Sequence, residues 1–486
     1  MTGRTDISPF GGGKELNHAL GDGAEMKQSS NAASLSPKRV MVVGLGASGR
    51  AVLSRLLSEH REVVVIDDSL QSSIVEAMPS KGVEVYVHPT PEELSTALEG
   101  VSEIVVSPGV PPRHPLFDLL NKVDSQPEVI SELEFAYRRS NVPILAVTGS
   151  NGKTTVTTLI DEMLRASGIA SLAAGNIGYP ATSAVAESST FDWLVCEVSS
   201  FQLYFTRSFR PAIAVWLNVT ADHLDWHTDM DEYVAAKARV WANQGTSDVA
   251  VANTDDPVVM AHLPRGKGRC VTFGLTEGDY HVDEGFLVGP GRGRIVAIED
   301  LKRGFPHDLS NALAATAAAV EAGASLSAAR EVLIHFEGLP HRLQLVGVVD
   351  GVEYLDDSKA TTPSAVLAAL QGLDSVVLIA GGRNKGLDMG VLAEGASKLR
   401  AVVAIGEAAP EVCQALSTIQ CIGHAQNMKE AVELAKHFAR PGDKVLLSPG
   451  CASYDWYSSY AERGDDFARC VRSHMTTNKG GVRGRS

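Results

Sequence analysis

Ten residues, Ala146-Val147-Thr148-Gly149-Ser150-Asn151-Gly152-Lys153-Thr154-Thr155, constrain this chain more than any others. An apolar run from Pro143 to Val147 precedes the turn and reads as a buried strand, and Val156 to Leu164 follows it with helical spacing. Strand, glycine turn and helix aim several backbone N–H groups and the positive end of a helix at one point. Lys153 adds a cation there and Thr154 a hydroxyl, which suits a nucleotide triphosphate with its Mg²⁺. The first glycine lies three residues before Gly152, closer than in the common Walker loop. Gly-Ser-Asn-Gly is also ordinary turn chemistry. The lysine, the threonines and the two flanking elements are what favour phosphate binding.

A chain of 486 residues is too long for one core and predicts about three domains. The first begins with Val40 to Val43, the run Gly44-Leu45-Gly46-Ala47-Ser48-Gly49 and a helix to about Glu59. A second strand, Val63 to Ile66, ends at Asp67-Asp68, and Ile104 to Val106 leads into Ser107-Pro108-Gly109. This is a βαβ unit with a dinucleotide-type fingerprint. It fits NAD, any other ligand that presents a pyrophosphate to a helix N-terminus, such as a UDP-sugar, or a purely structural glycine turn. In the central unit, the apolar runs Trp193 to Cys196 and Ile213 to Leu217 place Glu197 and then Asp222-His223 at strand C-terminal ends, where open α/β sheets bind ligands. Glu197 offers Mg²⁺ a hard oxygen. A long polar helix, Met230 to Asn243, carries Lys237 in its interior. Farther on, four strand-like runs each close on a glycine or polar turn: Glu353 to Leu355, Val376 to Ala380, Ala401 to Ile405 and Val445 to Leu447.

The expected fold is therefore α/β in three domains. These are a Rossmann-like N-terminal domain (37–140), a central P-loop ATPase-type α/β domain (141–338) and a C-terminal Rossmann-like α/β domain (339–474). Residues 1–36 and 475–486, polar and without apolar period, are expected to be a disordered extension and a disordered tail. A net charge of −15 argues against a nucleic-acid partner. No stretch approaches the length of a membrane span, and the alanine-rich Ala312 to Ala324 reads as a packed helix. The six cysteines show no CxxC pair and read as reduced thiols, so a cytoplasmic protein is expected, and a monomer.

Several motifs together resemble the ATP-dependent Mur ligases, amide-bond-forming enzymes of peptidoglycan precursor synthesis. They are the Thr148–Thr155 loop, Glu197-Val198-Ser199-Ser200-Phe201-Gln202-Leu203, Asn218 to Asp225, and Asp357-Ser358-Lys359-Ala360-Thr361. The resemblance runs from about residue 38 to 473, and the Ser-Ser-Phe-Gln-Leu run points to the D-glutamate-adding branch. It implies phosphoryl transfer from ATP to the carboxylate of UDP-N-acetylmuramoyl-L-alanine and attack of D-glutamate on the acyl phosphate, with catalysis mostly by positioning and charge neutralisation.

The resemblance also implies roles. Gly149 to Thr155 would hold the ATP phosphates and Arg342 would meet them, His307 and Asn311 match the segment that contacts adenine, and Asp357 and Lys359 sit on the loop that closes over the nucleotide. Thr154 and Glu197 would hold one Mg²⁺, and His223 with Lys237, the latter as a carbamate, a second. From the residues alone Lys237 is only a helical lysine, ordinarily solvated. Ala47, Ser48, Asp67, Asp68 and Ser107 to Gly109 would hold the UDP group, with Asn176 and His223 nearer the reacting carboxylate. Thr361, Lys385, Ser453 and Tyr460 would bind D-glutamate, Tyr460 more through its N–H than its ring. Asp308 stands where the family commonly has asparagine, and an ionised aspartate cannot donate. Rival readings are a sibling amino-acid ligase, an NAD-dependent oxidoreductase, which leaves Lys153, Glu197 and His223 unexplained, and a nucleotide-regulated binding module.

Overall fold

The computed structural model describes residues 39–479 except 69–81, 123–125, 188–189, 225, 265, 267 and 420–421. The extension expected over 1–36 lies outside the described residues. The tail expected from 475 is outside them only from 480, because the last helix, Tyr460–Lys479, runs on through its start.

Three larger sheets and one small one follow one another along the chain. The first has strands β1 (Arg39–Val43), β2 (Val63–Asp67), β3 (Val83–Val87), β4 (Val101–Val106) and β5 (Glu128–Ser131), all parallel, in the order 3-2-1-4-5. The β-branched runs of β1 and β2 are buried almost throughout, as strands covered on both faces require. The order reverses between β1 and β4, and the Gly44 loop sits at the C-terminal edge of that switch point.

The central sheet contains β6 (Ile144–Thr148), β7 (Ser171–Gly175), β8 (Trp193–Glu197), β9 (Ile213–Trp216), β10 (Val249–Asn253) and β11 (Arg269–Phe273), parallel in the order 11-10-9-6-8-7. The chain leaves β6 toward β7 on one side and later returns to β9 on the other, so the loop after β6 also opens at a switch point. The helix Lys153–Ala166 buries Val156, Leu159, Ile160 and Met163 in one core with the alanine face of the helix Pro306–Glu321. Small side chains let the two helices approach closely, which accounts for the alanine-rich run. A small antiparallel sheet, β12 (His281–Asp283), β13 (Phe286–Gly289) and β14 (Gly293–Ala297), joins the same core through Leu287, Ile295 and Val296.

The third sheet has β15 (Gln344–Val349), β16 (Val352–Asp356), β17 (Val376–Gly381), β18 (Leu399–Ile405), β19 (Ile422–Ala425) and β20 (Lys444–Leu447), in the order 15-16-20-17-18-19. The four expected strands are present, and β15 and β19 extend the sheet. Strand β15 is antiparallel to β16, while the other pairs are parallel.

The units are tied at specific points. Glu134 reaches from the first unit to accept the backbone N–H groups of Arg207, Ser208 and Phe209, each at 2.9 Å, and Ser131 N donates to the Phe205 carbonyl at 3.0 Å. The central and third units meet where Arg342 donates to Thr154 Oγ1 at 3.0 Å and where the Thr220 and Ser364 hydroxyls lie 3.2 Å apart. The five described cysteines are free thiols. No helix among the described residues is long and apolar enough to cross a membrane.

Candidate active site

The phosphate loop is shaped by the segment after β9. Asn218 Oδ1 accepts both Ser150 N (3.0 Å) and Asn151 N (2.9 Å), while its Nδ2 donates to the Asn151 carbonyl (3.2 Å). The Ser150 hydroxyl donates to the Thr220 carbonyl, accepts Thr220 N, and lies 2.9 Å from the Tyr233 hydroxyl. Gly152 has φ +86°, and a Cβ there would stand 2.4 Å from Asn311 Oδ1, so only glycine fits where the turn becomes helix.

Two lysines converge on this loop. Lys153 Nζ donates to the carbonyls of Gly149 and Ser150, each at 2.9 Å. Lys237 Nζ donates to the same Gly149 carbonyl at 2.8 Å. Burial holds Lys153 below the usual lysine range against the pull of Glu197 and Asp222. Lys237 is only 1% exposed, and burial followed by the Lys153 charge pushes it well below that range. The helix Met230–Ala242 is therefore not polar all round. Its Tyr233-Lys237-Val240-Trp241 face is buried, which corrects the solvated reading of Lys237.

Glu197, at the end of β8, accepts Asn176 Nδ2 on Oε1 at 2.7 Å, while its buried Oε2 has no hydrogen-bond partner. His223 sits at φ +58° with its N–H on Asp222 Oδ1 (2.8 Å) and its ring 4.6 Å from that of Phe201. Burial raises the Asp222 carboxyl, opposed by Lys153, by the His223 N–H, by Lys237 and by Lys385. Lys385 thus acts on the central unit from the third. Among the described residues no group of three or more His, Cys, Asp or Glu side chains forms a metal cage. Any ion here must draw on hydroxyls, paired side chains and bound phosphate.

A cleft between the central and third units is lined by Gly152, His307, Asn311, Arg342, Asp357 and Lys359, which joins the expected phosphate and adenine groups in one space. His307 is depressed by burial and stacks on Phe305 at 5.7 Å, nearly parallel. Asp308 also lines the cleft, but its carboxylate is held by Arg303 Nε at 3.1 Å. Arg303 escaped the sequence reading. Its guanidinium also donates to the Arg342 and Leu343 carbonyls and fixes the segment that carries Arg342. Burial raises the Asp357 carboxyl to about 7, although it accepts the Ser448 hydroxyl at 2.7 Å. Lys359 Nζ lies 3.8 Å from the centre of the Tyr460 ring, so that ring has a contact of its own besides the expected role of the N–H.

A second cavity lies at the switch point of the first sheet. Ala47, Ser48, Asp67, Asp68, Ser107 and Gly109, all six UDP-site candidates there, line it. Asp67 Oδ2 accepts Leu45 N at 2.6 Å, and Asp68 Oδ2 lies 3.0 Å from His114 Nε2. His114, which also lines the cavity, was not legible beforehand because nothing in Pro112-Arg113-His114 marks it. Thr361, Lys385 and Ser453 lie outside both cavities, and Ser453 is 2% exposed.

The three family models that match describe the Mur ligase MurD-like N-terminal domain (38–130), the Mur ligase middle domain (147–319) and the Mur ligase glutamate ligase domain (341–451). The chain belongs to the Mur ligase family. Among its relatives, a protein of Pelotomaculum thermopropionicum named UDP-N-acetylmuramoylalanine–D-glutamate ligase is 41% identical, with 90% of this chain and 98% of that one covered. One of the same name from Frankia casuarinae is 43% identical over 89% of this chain and 94% of its own. In fold, the MurF ligase of Thermotoga maritima, solved with ADP, matches with a TM-score of 0.58 at 16% identity, covering 90% of this chain and 95% of that one. A pseudomurein peptide ligase of Methanothermus fervidus matches with a TM-score of 0.56 at 18% identity, covering 90% and 99%.

Proposed function

We propose that the chain is an ATP-dependent ligase that joins D-glutamate to UDP-N-acetylmuramoyl-L-alanine in cytoplasmic peptidoglycan precursor synthesis. The carrying observation is the cleft in which the phosphate loop, His307 and Asn311 face Arg342, Asp357 and Lys359 of the glutamate-ligase domain. The relatives' shared name supplies the substrates.

In this reading Gly149 to Thr155 and Lys153 hold the ATP phosphates. His307 and Asn311 hold the adenine end, and Arg342, Asp357 and Lys359 close over the nucleotide. The UDP group occupies the cavity of Ala47, Ser48, Asp67, Asp68, Ser107 and Gly109, and Asn176 and His223 face the substrate carboxylate. A carboxylate oxygen attacks the γ-phosphorus and ADP leaves. The amine of D-glutamate then adds to the acyl carbon, loses a proton and expels phosphate. Thr361, Lys385, Ser453 and Tyr460 orient that amine by binding the D-glutamate carboxylates.

The donor set fits Mg²⁺. The unpartnered Glu197 Oε2 and the Thr154 hydroxyl offer hard oxygens for one ion, and the His223 ring nitrogen with a carbamylated Lys237 would hold a second. Bound there, Mg²⁺ would neutralise charge on the transferring phosphoryl group. The modification fits because the depressed Lys237 amine is the form that adds CO₂: an N–C bond forms, a proton leaves, and the product is an anionic ligand. The decisive experiment measures phosphate release. Release that requires ATP, UDP-N-acetylmuramoyl-L-alanine and D-glutamate together supports the reading, and turnover with another amino acid in place of D-glutamate overturns it.

A further inference from the structure

A third cavity, between the first and central units, belongs to neither cleft described above. It is lined by Phe117, Tyr204, Phe205 and Pro127, by Arg207, and by one face of the helix Met230–Ala242. That face is Glu232, Ala235, Ala236 and Arg239, spaced i, i+3, i+4, i+7, the stripe next to the one that carries Tyr233 and Lys237. The two small alanines leave the space, and the rings give it flat walls. Phe117 and Phe205 stack at 5.4 Å and 18°, and Tyr204 meets Phe205 edge-on at 4.8 Å.

Two guanidiniums reach the same space. Arg239 donates to the Thr206 carbonyl at 2.9 Å and Arg207 to the Val129 carbonyl at 3.3 Å, and among the described residues neither forms an ion pair with a carboxylate. Burial and then the Arg207 charge hold Arg239 below the usual arginine range. The one carboxylate in the wall, Glu232, is engaged by Thr228 N at 2.7 Å and the Tyr204 hydroxyl at 3.2 Å. Two like charges kept together beside aromatic walls are stabilised by an anion with a flat body.

We propose that this cavity binds an oxyanion, carboxylate or phosphate, carried on a planar ring, with the oxyanion on Arg207 and Arg239 and the ring against Tyr204 and Phe205. An occupant would touch the same helix, Met230–Ala242, that carries Lys237. The inference does not depend on which amino acid the enzyme adds.

The test uses the full chain and saturation-transfer NMR that observes the ring protons of phenyl phosphate and of benzoate, with inorganic phosphate added as a competitor against phenyl phosphate. Phenyl phosphate or benzoate is expected to bind saturably and to remain bound when ATP and the UDP-linked substrate are added. Inorganic phosphate, lacking the ring, is expected to bind about tenfold more weakly or worse. The Arg207→Ala/Arg239→Ala double variant should weaken the ring-bearing probes by about tenfold or more. Ala235→Phe keeps both charges but fills the cavity, and should do the same if the double variant fails to fold. Displacement by ATP, binding undiminished in Ala235→Phe, or no saturable binding by either ring-bearing probe would overturn the proposal.

Discussion

Lys237 Nζ donates a 2.8 Å hydrogen bond to the carbonyl oxygen of Gly149, the first glycine of the phosphate loop. A second ammonium, that of Lys153, uses the same carbonyl at 2.9 Å. Two cations cannot share a buried acceptor without cost, and the one with less access to solvent gives up its proton more readily. Burial and the Lys153 charge hold the Lys237 amine well below the usual lysine range against the pull of Asp222 and Glu197, and a carboxylate added to it would meet a cation or metal.

Lys237→Ala should therefore cut ligase turnover by about a hundredfold or more, the scale of losing one electrostatic stabiliser. Formate or acetate should restore part of it by supplying the missing carboxylate. Phosphate-release assays with and without these anions check this, and an alanine variant with full activity would remove Lys237 from the mechanism.

Arg342 bridges two domains through its 3.0 Å bond to Thr154 Oγ1. The bond puts a guanidinium where nucleotide phosphate is expected, and Arg303 holds its backbone from behind. Arg342→Ala should raise the KM for ATP by about tenfold. The nucleotide-free variant should also be more extended in small-angle scattering, since one of the ties between the central and third units is gone. Arg342→Lys should recover the charge but not the fork, and so only part of the affinity.

How legible this site was depended on which physical level carried each residue. The phosphate loop was readable because phosphate binding fixes a local spacing, and strand-end positions marked Glu197 and Asp222-His223. The residues expected on the UDP side lie at the C-terminal ends of three neighbouring strands, β2, β1 and β4, so topology gathers them from distant stretches. Burial of Lys237 was invisible, since it follows from how Tyr233 and Trp241 turn the helix toward the core. Arg303 was missed because its work is done on backbone carbonyls some 40 residues away. Strands β3, β7 and β15 escaped because most of their residues are only partly or not buried and their apolar runs are short, broken at Glu84 in β3 and at Gly347 in β15 and ended by Gly175 in β7.

Asp357 titrates in an unusual range. Burial raises its folded pKa to about 7, well above the ordinary aspartate range. A raised carboxyl pKa means that the folded state binds the proton more tightly. Its contribution is present in full below about 4 and is lost as pH rises to about 7, then stays constant. Asp357→Asn removes that titration, so the fall in stability between these pH values should be shallower by a few kcal/mol at most. Urea unfolding at pH 5 and pH 8 checks it, and parallel wild-type and variant curves would place the shift elsewhere.

The glycines of the first domain separate close approach from packing. A Cβ on Gly49 would stand 1.8 Å from the Gly44 carbonyl oxygen, whereas one on Gly46, at φ −62°, would meet nothing within 4 Å. Gly49 is therefore required by the contact of helix Ala47–Ser58 with the loop after β1, and Gly46 leaves open the space that a pyrophosphate would fill. Gly49→Ala should destabilise the protein by at least about 1–3 kcal/mol, the cost of overpacking against a backbone that cannot yield. Gly46→Ala should melt like the wild type yet raise the KM for the UDP-linked substrate by about tenfold, with the KM for ATP unchanged. Thermal unfolding and steady-state kinetics on the two variants read the two effects separately. A Gly46→Ala enzyme with an unchanged KM for the UDP-linked substrate would mean that the pyrophosphate lies elsewhere, because a Cβ at Gly46 meets no protein atom within 4 Å and so reaches only what fills that space.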